Sequence, residues 1–526
     1  MNLHQRLLSI FICFSTALTS FAQEQAAAPE AVAATREIIA QFESYVETAR
    51  QQWQVPGLAI AIVKDDQVLL SKGFGNRRSG AVETVDQNTL FAIASNSKAF
   101  TSVALAILVD EGKLKWDDRV TQHLPWFRLR DEFATQEIRV NDLLCHRSGL
   151  GTFSGDLLWW GTDYTPKQVL QRAAELEPAS SFRSAYGYSN LMFLAAGEVI
   201  TAVSGQSWSD FVRDRILRPL EMNRSTTSIR DLISLENYAS PHKTHLDRSQ
   251  PIPWMNWDAM AAAGGVVSSA DDISKWLRLQ LRQGDLDGKK RVFSAAASHE
   301  MWQAHTPIKL SSTPSQRFPS THFRAYGLGW ALSDYQGLKV VGHGGGYDGM
   351  YSQVLMVPEK KLGVVVLTNS MTSISNLLAY RALDVLLDGD KKDWSAENLA
   401  QFRKSREDFA AKITKLTTPA LAGTKPSHPL SDYAAKFRCP MYGDACVTLE
   451  GEQLVLRLLP YPALVADLMH LHYDTFEIRW RNEFAWFEGG TAHFSADARG
   501  KFQRLELDVP NDDLWFHELK LQRIAD

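Results

Sequence analysis

The chain has 526 residues, 45% of them hydrophobic and 22% charged, with 15 Trp and 25 Phe. That balance excludes whole-chain disorder, and at roughly 100–200 residues per domain the length allows two to four domains. The 56 Lys+Arg against 60 Asp+Glu leave a formal net charge of −4, without the basic excess of a nucleic-acid binder, and four cysteines exclude a disulfide scaffold.

Residues 1–22 read as a secretory signal peptide. Arg6 is their only full charge, Leu7–Leu18 is mostly apolar, and Ser20-Phe21-Ala22 sets small residues at −3 and −1 of a cleavage site. The competing reading is a membrane anchor, but the apolar run is short of the about 20 residues that span a bilayer. Cleavage removes Arg6 and Cys13, moves the net charge from −4 to −5, and leaves Cys145, Cys439 and Cys446 in a secreted or periplasmic chain. No later stretch is long and apolar enough to span a membrane. Gln23–Glu30 reads as a loose leader.

From Ala31 to Trp53 apolar residues recur at helical spacing (Ile38, Ile39, Phe42, Tyr45, Val46), and Pro56-Gly57 ends the helix. Leu58–Val63 and Gln67–Phe74, split by Lys64-Asp65-Asp66, predict a hairpin. Thr89–Ala94 leads into a helix over Ser95–Asp110, closed by Gly112. The middle third is mostly helical, with Trp208–Ile216 and, after the cap signal Ser268-Ser269-Ala270-Asp271, Ile273–Leu281. Between Lys339 and Leu367 strands return: Val354–Val357 and Leu362–Leu367 flank Pro358-Glu359-Lys360-Lys361. A helix over Ser373–Leu387 follows. Strands far apart in sequence can complete one sheet, so the plan is an α/β fold: an antiparallel sheet flanked by helices, with a helical insertion.

Residues 388–428 predict a helix and a Thr/Pro/Gly linker. Beyond Pro429 come short strands: Cys446–Glu450, Leu454–Leu459, Thr475–Trp480, Phe484–Glu488, His493–Ala496 and Phe502–Val509. These predict a small all-β barrel-like or sandwich domain. The divisions are therefore 1–22, 31–395, 396–428 and 429–526.

Ser95-Asn96-Ser97-Lys98 has the S-x-x-K pattern, which is weak alone; Ser240…Lys243 repeats it in a polar stretch without a helix signal. Ser95 stands where a strand gives way to a long apolar helix. One helical turn brings Lys98 to its face, and a serine hydroxyl is a poor nucleophile until a base takes its proton. Helix N-termini also leave N–H groups free for a developing oxyanion. The bland alternative is a helix cap and a solvated lysine. Tyr188-Ser189-Asn190 is the only Y-x-N, set before an apolar helix over Leu191–Val203. His343-Gly344-Gly345 is the only H-x-G, followed by Gly346, and glycines there let a substrate backbone approach closely.

This constellation resembles the serine β-lactamase and penicillin-binding-protein superfamily, in the branch of class C β-lactamases, D-alanyl-D-alanine carboxypeptidases, D-aminopeptidases and esterases. The resemblance runs from Ile38 to Leu387. It includes Phe91-Ala92-Ile93-Ala94-Ser95, Leu143-Leu144-Cys145-His146-Arg147-Ser148-Gly149-Leu150, Ala263-Gly264-Gly265, Tyr326-Gly327-Leu328-Gly329-Trp330 and Gly342-His343-Gly344-Gly345. The C-terminal part, marked by His470-Leu471-His472-Tyr473-Asp474-Thr475-Phe476, resembles a β-rich domain of unknown function often fused to such hydrolases. The resemblance implies a β-lactamase/transpeptidase-like fold and an acyl-enzyme mechanism. In it Ser95 is the nucleophile, Lys98 hydrogen-bonds it, and Tyr188 is partner base or proton shuttle. Asn190 orients the substrate amide and Lys98. The N–H groups of Ser95 and Gly346 form the oxyanion hole, and Gly344 and Gly345 flank the substrate. His343 replaces the lysine of a K-T-G motif. Histidine is mostly neutral at pH 7, so a substrate carboxylate gains less from it. That points to a peptidase, D-aminopeptidase or esterase before a β-lactamase; a low-turnover peptidoglycan- or protein-binding scaffold is the reading from another class. Which of Lys98 and Tyr188 takes the proton stays open.

No G-x-S-x-G or H-E-x-x-H occurs, and the 14 histidines show no metal-ligand spacing, so no metal or cofactor is expected. The partner expected is a small-molecule or peptide substrate, including one derived from peptidoglycan. His470 and His472 alternate on a strand and read as surface or packing residues. His146 reads as part of the site's wall. Trp159-Trp160 can line an apolar groove or merely pack. Cys439 and Cys446 can close a disulfide or remain free, and Cys145 is unpaired.

Overall fold

The computed structural model describes residues 32–245, 248–310, 318, 320–387, 389 and 392–524; the segments expected to be a signal peptide and a leader lie outside them. A helix over residues 32–52 buries Ile39, Phe42, Val46 and Ala49, a spacing of three and four that makes one apolar stripe. Strands β1 (Gly57–Lys64) and β2 (Gln67–Gly75) form the expected hairpin. Asp65 and Asp66 turn it with φ of 49° and 66°, the left-handed pair that matches strand twist.

The main sheet has eight strands in the order β2-β1-β12-β11-β10-β9-β8-β7. Here β7 is Thr306–Ile308, β8 Arg324–Tyr326, β9 Ala331–Tyr335, β10 Leu338–Tyr347, β11 Met350–Val357 and β12 Leu362–Thr368. Every neighbouring pair is antiparallel, and β1 pairs with β12 in the register Ile60↔Val366. Alternate residues of β1 serve opposite faces. Leu58, Ile60 and Ile62 pack with helix 32–52 and helix Ile374–Leu386; Ala59, Ala61 and Val63 pack with the helical insertion. Two covered faces explain why β1 is a continuous apolar run rather than an alternating one.

The insertion includes helices Ser97–Asp110, Asn190–Ser204 and Ala270–Leu281. The side chain of Ser269 caps the last by accepting from Asp272 N at 3.3 Å. Trp208–Ile216 divides into an α-turn over Trp208–Val212 and a π-turn over Arg213–Leu217. Two short ribbons, β3 (Phe91–Ala92) with β6 (Val267–Ser268) and β4 (His242–Thr244) with β5 (Ser249–Pro251), brace it.

Helix Trp394–Leu416 crosses to the C-terminal domain, a closed barrel of β13 (Ala435–Cys439), β14 (Gly443–Glu450), β15 (Gln453–Leu458), β16 (Val465–His472), β17 (Thr475–Trp480), β18 (Gly489–Ala496), β19 (Phe502–Asp508) and β20 (Leu521–Arg523). One expectation changes, and one open alternative is decided. Phe484–Glu488 is a loop, not a strand: Phe484 and Phe487 are both buried, at a spacing of three that a strand cannot put on one face. Cys439 and Cys446 are free. Cys439 sits on the buried face of β13, whereas Cys446 falls between the inward Ala445 and Val447 on β14 and faces outward.

The barrel is docked on the N-terminal domain. One apolar cluster runs through both, and the ring of Trp160 meets Tyr461, Phe484 and Phe487 edge-on at 5.2, 5.5 and 5.6 Å.

Candidate active site

Ser95 lies in a 3₁₀ turn, Ala94–Asn96, immediately before the α-helix that starts at Ser97. Ala94 has φ of 46°, a costly conformation for a residue with a Cβ. Its surroundings hold it there. Asn96 donates to Ser352 Oγ at 2.8 Å, and Ser352 donates to Ile93 O at 2.8 Å. Gly345 on β10 comes so close that an added Cβ would lie 2.2 Å from Ile93 O, so its missing side chain accommodates the nucleophile turn. Gly344 and Gly346 instead line the cavity beside Ser95.

Lys98 is fully buried. Its Nζ lies 3.0 Å from Ser95 Oγ, 2.7 Å from Asn190 Oδ1 and 3.0 Å from Ala263 O. Ala263-Gly264-Gly265 thus contributes a carbonyl; a Cβ on Gly264 would lie 2.7 Å from the Trp257 ring. Burial lowers the Lys98 amine to about 7, with Asp156 opposing the shift. Tyr188 stands on the other side, its ring centroid 4.8 Å from Nζ, with its hydroxyl bonded to Ser95. Burial pushes its phenol well above the usual value of 10. Asn190 opens its helix and donates from Nδ2 to Asp156 Oδ2 at 2.7 Å, which fixes its oxygen toward Lys98.

Burial keeps His343 neutral, and its two partners then fix the tautomer. A carbonyl can only accept, so Nδ1–H donates to Gly344 O, and Nε2 accepts from the Tyr326 hydroxyl at 2.6 Å. Burial, with Lys98 nearby, lowers the imidazole to about 3. His146 is buried with φ of 59°, accepts from Ser189 N at 3.0 Å, and packs its ring 4.2 Å from that of Tyr188. The second S-x-x-K falls elsewhere: Lys243 is on β4, directed at Phe487 O of the barrel domain. His470 also lies away from the site, bonding Tyr473 O.

The cavity over Ser95 measures about 220 Å³. Trp159, Trp160 and Trp257 line it, and so do Trp486, Asp513 and Leu514 of the barrel domain. The tryptophans are tied to two buried carboxyls. Trp159 donates to Asp156 at 3.0 Å; Trp160 and Trp257 donate to Asp348 at 3.1 and 2.9 Å, and Trp486 joins them. Burial raises Asp156 to about 8 and Asp348 to about 6. None of Asp156, Asp348, Asp513 and Trp486 carries a sequence signal. Asp156 opens a 3₁₀ turn and Asp348 lies in the turn after β10, whereas Trp486 and Asp513 stand on loops of the barrel domain and reach the cavity only because the domains dock. Among the described residues no group of three His, Cys, Asp or Glu could hold a metal ion, and no helix is long and apolar enough to cross a membrane.

Known proteins share this organisation. The Beta-lactamase family model matches residues 42–387, and that of a domain of unknown function (DUF3471) matches 420–523. The chain is 29% identical over 440 residues to "Unguisins hydrolase ungD'" of Aspergillus campestris, covering 79% of this chain and 78% of the relative. It is 29% identical to "Penicillin-binding protein 4" of Amycolatopsis lactamdurans, covering 64% of this chain and 86% of that one. The octameric penicillin-binding protein homologue from Pyrococcus abyssi shares the fold with a TM-score of 0.58 at 23% identity, covering 92% of this chain and 100% of that one. A D-stereospecific amidohydrolase from Streptomyces sp. superposes with a TM-score of 0.51 at 25% identity, over 66% of this chain and 97% of that one.

Proposed function

The chain belongs to the Beta-lactamase family, and from that premise we propose that it is a secreted serine hydrolase that cleaves an amide or ester through an acyl-Ser95 intermediate. The observation that carries this is the buried amine of Lys98, 3.0 Å from Ser95 Oγ. Burial lowers the Lys98 amine to about 7, which favours its unprotonated form, and pushes the phenol of Tyr188 up, which favours its protonated form. Lys98 is therefore the base and Tyr188 the proton donor. Lys98 takes the Ser95 proton as Oγ attacks the carbonyl carbon, and the N–H groups of Ser95 and Gly346 receive the oxyanion. The tetrahedral adduct expels the amine or alcohol, which takes a proton from the Tyr188 hydroxyl while protonated Lys98 returns one to that oxygen, so that the Lys98 amine is free again. Water, deprotonated by the same base, then attacks the acyl carbon and returns Ser95 Oγ–H.

The neutral His343 offers no cation to a substrate carboxylate. That favours peptidase, D-aminopeptidase or esterase activity over a β-lactamase. The names of the hydrolase and amidohydrolase relatives support the same direction.

Ser95→Ala tests the reading. Covalent labelling by a fluorophosphonate or penicillin probe is expected to vanish with the substitution, and labelling that survives it rejects the nucleophile. Wild-type protein that is never labelled, and turns over neither p-nitrophenyl esters nor amino-acid amides, would instead be a binding scaffold.

A further inference from the structure

We propose that His146 is a positioning residue for the proton donor Tyr188: it fixes the backbone on both sides of that tyrosine, backs its ring, and so sets where the hydroxyl stands in the cavity over Ser95. The inference rests on the serine-hydrolase reading, in which Tyr188 gives its proton to the leaving group.

His146 grips the chain on either side of Tyr188. Its carbonyl accepts from Gly187 N at 3.0 Å, and its Nδ1 accepts from Ser189 N at 3.0 Å. Its left-handed backbone, with φ of 59°, turns carbonyl and imidazole toward that one segment, a conformation that costs a residue with a Cβ about 1–3 kcal/mol. Tyr188 is tied at its own backbone too: its N–H donates to Thr152 Oγ1 at 3.1 Å, and its carbonyl accepts from Phe153 N at 2.8 Å. The imidazole then lies against the phenol, with ring centroids 4.2 Å apart, and against Tyr326 at 4.3 Å. Tyr326 carries the hydroxyl that holds His343, so one ring backs two sides of the site.

The brace is itself anchored. Four successive carbonyls accept from four separate segments: Leu144 O from Gly329 N at 3.0 Å, Cys145 O from Thr306 Oγ1 at 2.7 Å, His146 O from Gly187 N, and Arg147 O from Arg183 N at 2.8 Å. Support of this kind holds a catalytic group in its productive geometry.

The site uses the acceptor and not only the bulk. Nδ1 accepts only while the imidazole is neutral, and burial, with Lys98 and His343 nearby, keeps it well below the usual histidine value. Nε2 then carries the hydrogen, is buried, and has no hydrogen-bond partner among the described residues. Burying a donor unpaired costs about 1–3 kcal/mol, which a residue that merely filled space would avoid.

The test is a leaving-group series on one acyl group: p-nitrophenyl, phenyl and benzyl acetate. Rates are counted per Ser95 labelled by a fluorophosphonate, whose fluoride leaves without a proton. Nitrophenolate also leaves without one, whereas an alkoxide needs it. Glycine takes a left-handed backbone without strain, so His146→Gly removes the imidazole and leaves the turn. It is expected to lower kcat/KM roughly 10–100-fold on benzyl acetate, the cost of a misplaced catalytic group, and less than about threefold on p-nitrophenyl acetate. His146→Asn, which also tolerates that backbone and whose Oδ1 replaces Nδ1, should recover most of the loss. Should His146→Gly fail to fold, His146→Gln stands in for it. Glutamine adopts this backbone at Gln54, Gln283 and Gln336, and its amide lies where Nε2 does, away from Ser189 N. No loss, an equal loss with all three leaving groups, or His146→Asn no better than His146→Gly overturns the proposal. Tyr188→Phe separates the readings. If it shows the selective loss and His146→Gly does not, only this inference fails. If neither shows it, Tyr188 is not the donor and the proposal falls with that role. If nothing is turned over and Ser95 is never labelled, the serine-hydrolase reading falls as well.

Discussion

The floor and the roof of the cavity are built on different terms. On the floor, the polar groups of the hydrolase domain answer one another: Lys98 meets three acceptors, and Asn190 bridges Lys98 to Asp156. On the roof, Trp486 completes a set of indole donors on Asp348, but the carboxyl of Asp513 faces the cavity among other acids. A closed network fixes geometry before substrate arrives. The two domains thus bring differently built polar groups to one cavity.

Substitutions can break that division. Lys98→Ala should lower kcat/KM roughly 10²–10⁴-fold on every substrate, the usual worth of a general base; an unchanged rate would take the chemistry off the floor. The same residue sets the pH dependence. The base form of Lys98 is lost as pH falls through about 7, so turnover of p-nitrophenyl acetate should drop about tenfold per unit on the acid side and level off above. A profile flat from pH 5 to 9 would remove Lys98 as the base. Asp156→Ala releases Asn190 to rotate its N–H₂ toward Lys98. A loss of roughly 10-fold in kcat, with KM little changed, is expected from one such hydrogen bond. The smallest effect belongs to Trp486→Phe, which takes one donor from Asp348. It should destabilise docking by about 1–3 kcal/mol, seen as a lower melting temperature and faster proteolysis between residues 417 and 428. Unchanged melting and proteolysis would show that Trp486 does not fasten the roof.

The floor was largely legible in the sequence. Ser95 and Lys98 share one turn, and the apolar run after them could only be a buried helix. Tyr188-Ser189-Asn190 and His343-Gly344-Gly345 were distinctive enough to locate. The roof was not. Phe484–Glu488 reads as a strand by composition, yet its aromatic spacing belongs to a loop that packs on Trp160. The choice between Lys98 and Tyr188 was equally hidden, because it turns on how much water each loses.

The sequence by itself determined which side chains one helical turn and one strand alternation bring together, since those periods are local properties of the backbone. Only the tertiary structure decided the burial of Lys98, Tyr188 and His343, and the arrival of Trp486 and Asp513 at the cavity over Ser95. Desolvation and Coulomb interactions depend on all that surrounds a group, and here those surroundings come from residues as far along the chain as Leu514.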